Sequence, residues 1–200
     1  MRANSRLIIA RFGHTSVVLA QSKTVGDSRT LMSEVIQPND ANFLGKAFGG
    51  AVLAKIDLCA YATASRFAEM ICATASFDRV DFLEPIEVGE LVELEGFVSY
   101  VGRTSVEVTV DVHSQNLLTN VRRHTNTARV TMVALQDGRP TPVPKLKCES
   151  LEDKIRFLEG RLRRELRASQ RADFDRLASG FKEMDEAQLD ALLEKPTLLS

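Results

Sequence analysis

The stretch PNDANFLGKAFGGAVLAKIDLCAYATASR, residues 38–66, decides how this chain is read. It opens on turn formers, passes through Gly49-Gly50 and continues as an alanine-rich pattern that carries one bare aspartate, Asp57. Alanine is the best helix former, and its small side chain lets a sheet approach closely. The pattern predicts a helix from Gly49 to about Met70, buried along much of its length because so few charges interrupt it.

Strand signals flank this helix. Before it, Leu31, Ser33, Val35 and Gln37 alternate with Thr30, Met32, Glu34 and Ile36, and Pro38 closes the run. After it, CATASFDRVDFLEP reads as a strand ending at Pro85, and EPIEVGE as a turn or crossing. LVELEGFVSYVG follows as a strand ending at Gly102. In TSVEVTVDVHSQ, Val106, Val108, Val110 and Val112 line one face, while Glu107, Thr109, Asp111 and His113 line the other. RRHTNTARVTMVALQ is a last long strand, ended by Asp137-Gly138 and three prolines. The order β–α–β–β–β–β predicts an α+β fold, a mostly antiparallel sheet wrapped over one buried helix.

The two ends of the chain differ in character. Residues 1–27 read as a tail: Arg2, Arg6, Arg11 and Lys23 stand among serines and threonines with no acid before Asp27. That composition fits a disordered leader, an over-long start or a mitochondrial transit peptide. Residues 28–145 form the domain just outlined. Residues 146–200 are charged, with Leu151, Ile155, Leu158, Leu162 and Leu166 at helical spacing, and predict an amphipathic helical extension. Asp185 and Gln188 form a capping-box signature within it.

Composition narrows the function. A net charge of -1 offers no global basic field for nucleic acid or an anionic membrane. No apolar run reaches the ~20 residues of a membrane span. Cys59, Cys72 and Cys148 form no CxxC pair and read as buried reduced thiols. GxSxG, GxGxxG and GxxxxGK[ST] motifs are missing, so serine-elbow, dinucleotide and P-loop chemistry lack support. His14, His113 and His124 have no second ligand at metal spacing.

What remains is the stretch quoted first. Helical neighbours of Asp57 at three and four residues are Leu53, Ala54, Ala60 and Tyr61, none of them basic. Such a carboxylate either meets solvent at a cleft or is desolvated and made more basic. The N–H groups of Gly49 and Gly50 open the helix, either as an oxyanion hole reinforced by the helix dipole or for close packing alone. Asn42 either closes an Asx turn or orients a water or carbonyl.

The same stretch resembles the helix entry of hotdog-fold acyl-CoA thioesterases, the group that includes the YciA-like enzymes and the cytosolic long-chain acyl-CoA hydrolases. The resemblance continues in order through ASFDRVDFLEPIEVGE, VSYVGRTSVEVTVDV and ARVTMVALQDGRPTPVP, from about Arg29 to Pro144. It implies a hotdog fold and hydrolysis of fatty acyl-CoA to fatty acid and CoA. Asp57 would be general base or nucleophile, Asn42 would position water or substrate, and Gly50 with Gly49 would hold the oxyanion. VGRTS would lie near the CoA site, with Arg103 on a phosphate and Thr104 and Ser105 adding hydroxyl contacts; an ordinary hairpin turn is the other reading. No cofactor is implied beyond the CoA of the substrate itself, and no metal. Two hotdogs would pair, drawing Asn42 and Asp57 from opposite subunits, and such dimers would form a hexamer as a trimer of dimers.

Two residues depart from the family pattern. Lys46 stands where Asn, Asp or Thr is common; it faces solvent, steadies a CoA phosphate, or sits near Asp57 and favours its ionised form. Phe48 stands where some members have histidine. A hotdog dehydratase or hydratase is disfavoured, because the helix entry holds no histidine. A non-catalytic acyl-CoA sensor is disfavoured because Asn42 and Asp57 are both kept. The expected location is cytoplasmic, or mitochondrial if residues 1–26 act as a transit peptide.

Overall fold

The computed structural model describes residues 22–197. The leader readings for residues 1–21 lie outside them. Elements follow the order β1 (Ser22–Thr24), β2 (Thr30–Val35), α1 (Gly49–Ala68), β3 (Ile71–Phe77), β4 (Leu91–Val101), β5 (Ser105–Gln115), β6 (Arg122–Gln136), β7 (Arg139–Pro140), β8 (Lys145–Lys147), α2 (Leu151–Phe181) and α3 (Glu186–Leu193). The main sheet runs β2-β4-β5-β6-β3, every pair antiparallel, with β7 beside β6. Strands β2 and β3 are its edges, and α1 packs on the inner face. This is the α+β hotdog architecture. Ser22–Thr24, within the stretch expected as a tail, pair in parallel with Lys145–Lys147.

The core follows from the two periodicities. Val106, Val108, Val110 and Val112 of β5 are fully buried, as are Ala128, Val130, Met132 and Ala134 of β6. They meet Val52, Ile56, Cys59, Ala60, Ala64 and Phe67, which recur along one face of α1. Helix and sheet come close at Gly96: a Cβ there would stand 2.9 Å from Cys59 Sγ and clash with Thr63 Oγ1. α1 ends where Glu69 turns into the left-handed region at φ 56°.

Three expectations need correction. α1 is buried on one face only; Ala54, Leu58 and Tyr61 lie exposed. β3 stops at Phe77 rather than Pro85, because the last backbone bond holding it to β6 is Asp78 N–H to the Arg129 carbonyl, 2.9 Å. The following loop leaves the sheet, sets the Phe82 ring over Gly49, and returns with Leu83 N–H donating to Thr125. On the polar face of β5, Glu107 and Thr109 are buried, and Ser99, at the β4 bulge, donates to Glu107 at 2.9 Å. Cys59 and Cys72 are buried free thiols, but Cys148 is only half-buried.

The chain divides into two compact units, one ending at Leu158 and one beginning at Glu159. In the first, the start of α2 is anchored by Phe157 against Tyr100, ring centroids 5.0 Å apart, and by Arg156 over the Phe97 ring at 4.5 Å. The second holds the rest of α2 and α3, whose capping box forms between Asp185 and Gln188. Among the described residues no helix is long and apolar enough to cross a membrane.

Candidate active site

The half-buried Asp57 projects from the third turn of α1 toward β3. There the Thr74 hydroxyl donates to Asp57 Oδ1 at 2.6 Å. The same hydroxyl lies 3.4 Å from Met132 Sδ, its cross-strand neighbour on β6. Thr74 thus orients the carboxylate from an edge strand whose residues are almost all exposed. Sequence reasoning missed Thr74. Its one signal was a threonine in a strand of small residues, CATAS, directly after the aspartate-bearing helix.

Asn42 sits in a tight turn that it closes itself. Its Oδ1 accepts from Leu44 N at 2.9 Å and Lys46 N at 3.1 Å, and its backbone N–H donates to the Lys46 carbonyl at 2.7 Å. Gly45, at φ 72°, supplies the left-handed step the turn needs. The Asx-turn reading of Asn42 is thus the one the hydrogen bonds show. The carbonyl builds the turn, and the amide nitrogen has no partner among the described residues, leaving a donor to offer. No hydrogen bond joins Asn42 to Asp57 within the described chain.

The turn leads directly into α1. Phe48 N–H donates to the Asp40 carbonyl at 2.7 Å, and the Phe48 carbonyl accepts from Ala51 and Val52. No side chain caps the helix, and the Gly49 and Gly50 N–H groups have no partner among the described residues. They point along the axis with the positive end of the dipole, where a developing oxyanion would be stabilised. Close packing is present at Gly50, where a Cβ would clash with the Phe48 ring.

Lys46 departs from the reading that set it beside Asp57. Its ammonium pairs with Glu87, across a bridge between the two backbones, and not with Asp57. Lys55, two residues before Asp57 and on the other side of α1, is tied to Glu34 at 2.8 Å and Asp40 at 3.8 Å. Both lysines thus brace the Asn42 turn rather than charge the Asp57 site. Burial pushes the Cys59 thiol up to about 11, so this cysteine on the same helix stays a neutral packing group.

Arg103, Thr104 and Ser105 form the β4–β5 turn. All three carbonyls are used structurally, by Val143 N at 3.1 Å, Ala134 N at 3.0 Å and Gly102 N at 2.8 Å. The Arg103 side chain is exposed and without a partner among the described residues. Ser105 pairs with Val133, which on its other side pairs with Ala73, the neighbour of Thr74. The turn therefore lies two strand spacings, about 10 Å, from β3.

Comparison with known proteins places the chain in a family. Residues 44–121 match the thioesterase superfamily model. The uncharacterized acyl-CoA thioester hydrolase YkhA of Bacillus subtilis is 38% identical over 128 residues, 64% of this chain and 74% of that protein. A crystal structure of an apo-hexameric acyl-CoA thioesterase superposes with a TM-score of 0.73 at 45% identity, covering 76% of this chain and 99% of that one. The Staphylococcus aureus acyl-CoA hydrolase, solved with butyryl-CoA, CoA and CoA disulfide, gives 0.71 at 31% identity over 80% and 99%. That hydrolase has also been solved as alanine variants of an asparagine, an aspartate and a threonine, spaced 15 and 17 residues apart; Asn42, Asp57 and Thr74 have the same spacing here. By fold and by sequence the chain belongs to the hotdog-fold acyl-CoA thioesterases of the thioesterase superfamily.

Proposed function

We propose that this protein hydrolyses acyl-CoA to a free carboxylic acid and CoA, with Asp57 and Thr74 of one subunit acting beside Asn42 of the partner subunit. The observation that carries the reading is the Thr74–Asp57 hydrogen bond at the exposed edge of the sheet. A bare carboxylate on an apolar helix is fixed there in one orientation, with its second oxygen left for a water.

In the reaction, Asp57 takes a proton from water as the oxygen attacks the thioester carbonyl. The carbonyl oxygen becomes an oxyanion facing the Gly50 and Gly49 N–H groups. The intermediate collapses, the C–S bond breaks, and the proton held by Asp57 passes to the leaving thiolate. Asn42 donates its amide N–H to the water or the substrate carbonyl. Arg103 contacts a CoA phosphate, with Thr104 and Ser105 beside it. Direct attack by Asp57 would instead form an acyl-enzyme anhydride that water opens.

Pairing through the β3 edges would bring the partner's Asn42 turn to Asp57. The exposed Phe43 and Leu44 at the tip of that turn support burial against a second subunit. A trimer of such dimers is the assembly proposed, and the cytoplasm the location. The test is thiol release from a panel of acyl-CoAs by the wild type, Asp57→Ala and Asp57→Asn. Full activity in either variant would remove Asp57 from the mechanism; binding of acyl-CoA without turnover by the wild type would mark a sensor.

A further inference from the structure

α2 carries an apolar stripe that the described residues leave open. Leu162, Leu166, Phe174, Leu177 and Phe181 are each 37% or more exposed. They recur at steps of four and three residues, with Gln170 filling the one gap. The interval is close to the ~3.7-residue period of an eleven-residue repeat, which keeps side chains along one side of a nearly straight helix. Such a stripe fits a second helix lying lengthwise against it.

Two features identify that second helix. The first is symmetry. Leu162 and Phe181 stand equally far from the midpoint between Arg171 and Ala172, and so do Leu166 and Leu177. A two-fold axis through this midpoint sets Leu162 of one copy beside Phe181 of the other, and Leu166 beside Leu177, in an isologous contact.

The second feature is charge. Residues 158–171 hold five arginines against Glu159 and Glu165. The mirrored residues 172–185 hold Asp173, Asp175, Glu183 and Asp185 against Arg176 and Lys182. An antiparallel pair lays the basic half along the acidic half; a parallel pair lays like against like. Pairs within the helix, Arg161–Glu165, Arg163–Glu159 and Arg176–Asp173, soften this polarity without reversing it. An anionic lipid surface would attract one half and repel the other.

We infer that α2, from Leu162 to Phe181, is an interaction surface that pairs antiparallel with the same helix of a second copy. The contact is additional to the pairing of the hotdog sheets and does not depend on the catalytic assignment.

The test uses full-length chains in a Cys148→Ser background, one carrying Leu162→Cys and the other Phe181→Cys, co-expressed with different tags and oxidised. A disulfide joining the two tags is expected, with neither variant linking to itself. In the antiparallel pair the two copies of position 162 lie about 28 Å apart, far beyond the ~7 Å reach of a disulfide. Self-linking of the Leu162→Cys chain, or no link at all, would overturn the proposal.

A second measurement is sedimentation velocity of the Leu166→Glu/Leu177→Glu double variant, checked for helicity by circular dichroism and for retained thiol release. The dominant species should fall in mass; unchanged mass overturns the inference. Flotation of the wild type with phosphatidylglycerol vesicles, lost in the double variant while mass stays the same, would replace the second copy with lipid.

Discussion

The Thr74 hydroxyl donates to the Asp57 carboxylate across 2.6 Å, joining the central helix to the edge of the sheet. A hydrogen bond to an ionised group is among the stronger kinds, worth about 1.5–3 kcal/mol. Thr74→Ala should lower kcat for acyl-CoA about 10- to 100-fold with little change in KM. Thr74→Ser, which keeps the hydroxyl, should recover most of it. Steady-state kinetics of the two variants side by side would decide the point, and equal losses in both would refute the positioning role.

Asn42 has two separable halves. Asn42→Asp keeps the oxygen that accepts from Leu44 and Lys46, so the turn should hold and stability should change little. It loses the amide N–H, so turnover should fall as far as in Asn42→Ala. The alanine variant should in addition lose about 0.5–2 kcal/mol of stability, the cost typical of removing a side-chain cap. Urea midpoints and thiol-release rates for both variants test this. An active Asn42→Asp protein would assign Asn42 to the turn alone.

General base and nucleophile differ in where water's oxygen goes. Under multiple turnover in 18O-water, general-base action places the label in the released acid and leaves Asp57 unlabelled. An anhydride intermediate opened at the acyl-enzyme's aspartyl carbonyl puts the label into Asp57. Mass spectrometry of the peptide containing Asp57 reads the result, with unlabelled peptide expected.

Gly96 is a close approach of sheet to helix. Gly96→Ala would press a methyl into Thr63 Oγ1 and Cys59 Sγ, both on buried side chains with little room to move. Overpacking of this kind costs about 1–3 kcal/mol. The denaturation midpoint should fall accordingly. Gly96→Ala/Thr63→Ala should regain a large part of the loss, since the second change opens the space.

His113 gives a pH signature. Burial, then the charges of Arg122 and His124, hold its imidazole below the ordinary value, against the opposing pull of Asp111 and Glu93. The unfolded chain therefore binds the proton more readily than the folded one, and stability rises with pH through that window. It should decline as pH drops below about 6.5, the unfolded value. His113→Gln should flatten the slope of urea midpoint against pH between 5 and 7; an unchanged slope would place its origin elsewhere.

Much of this was legible in the sequence because two periodicities are strong. The valines of β5 and the alanine-rich run of α1 each declare one buried face, and Gly49-Gly50 fixes where the helix begins. The sequence hid what depends on contacts between distant residues. Thr74 lies 17 residues from Asp57, and only the pairing of β3 with β6 and the seat of α1 bring the two together. Residues 78–85 look strand-like, yet lose their ladder after Asp78 and form the loop that covers the helix entry. Lys46 was unreadable for the same reason, since its partner Glu87 is 41 residues away.

The parallel pair of β1 and β8 acts as a clasp. Ser22–Thr24 lie against Lys145–Lys147, and Lys23 also reaches the end of α1, bonding the Arg66 carbonyl at 3.1 Å and Glu69 at 2.8 Å. Trimming the chain at Thr30, where the main sheet begins, would unhook the strand that leads into α2 and uncap the central helix at once. A shortened version for crystallisation, or a fusion tag, is best joined ahead of Ser22.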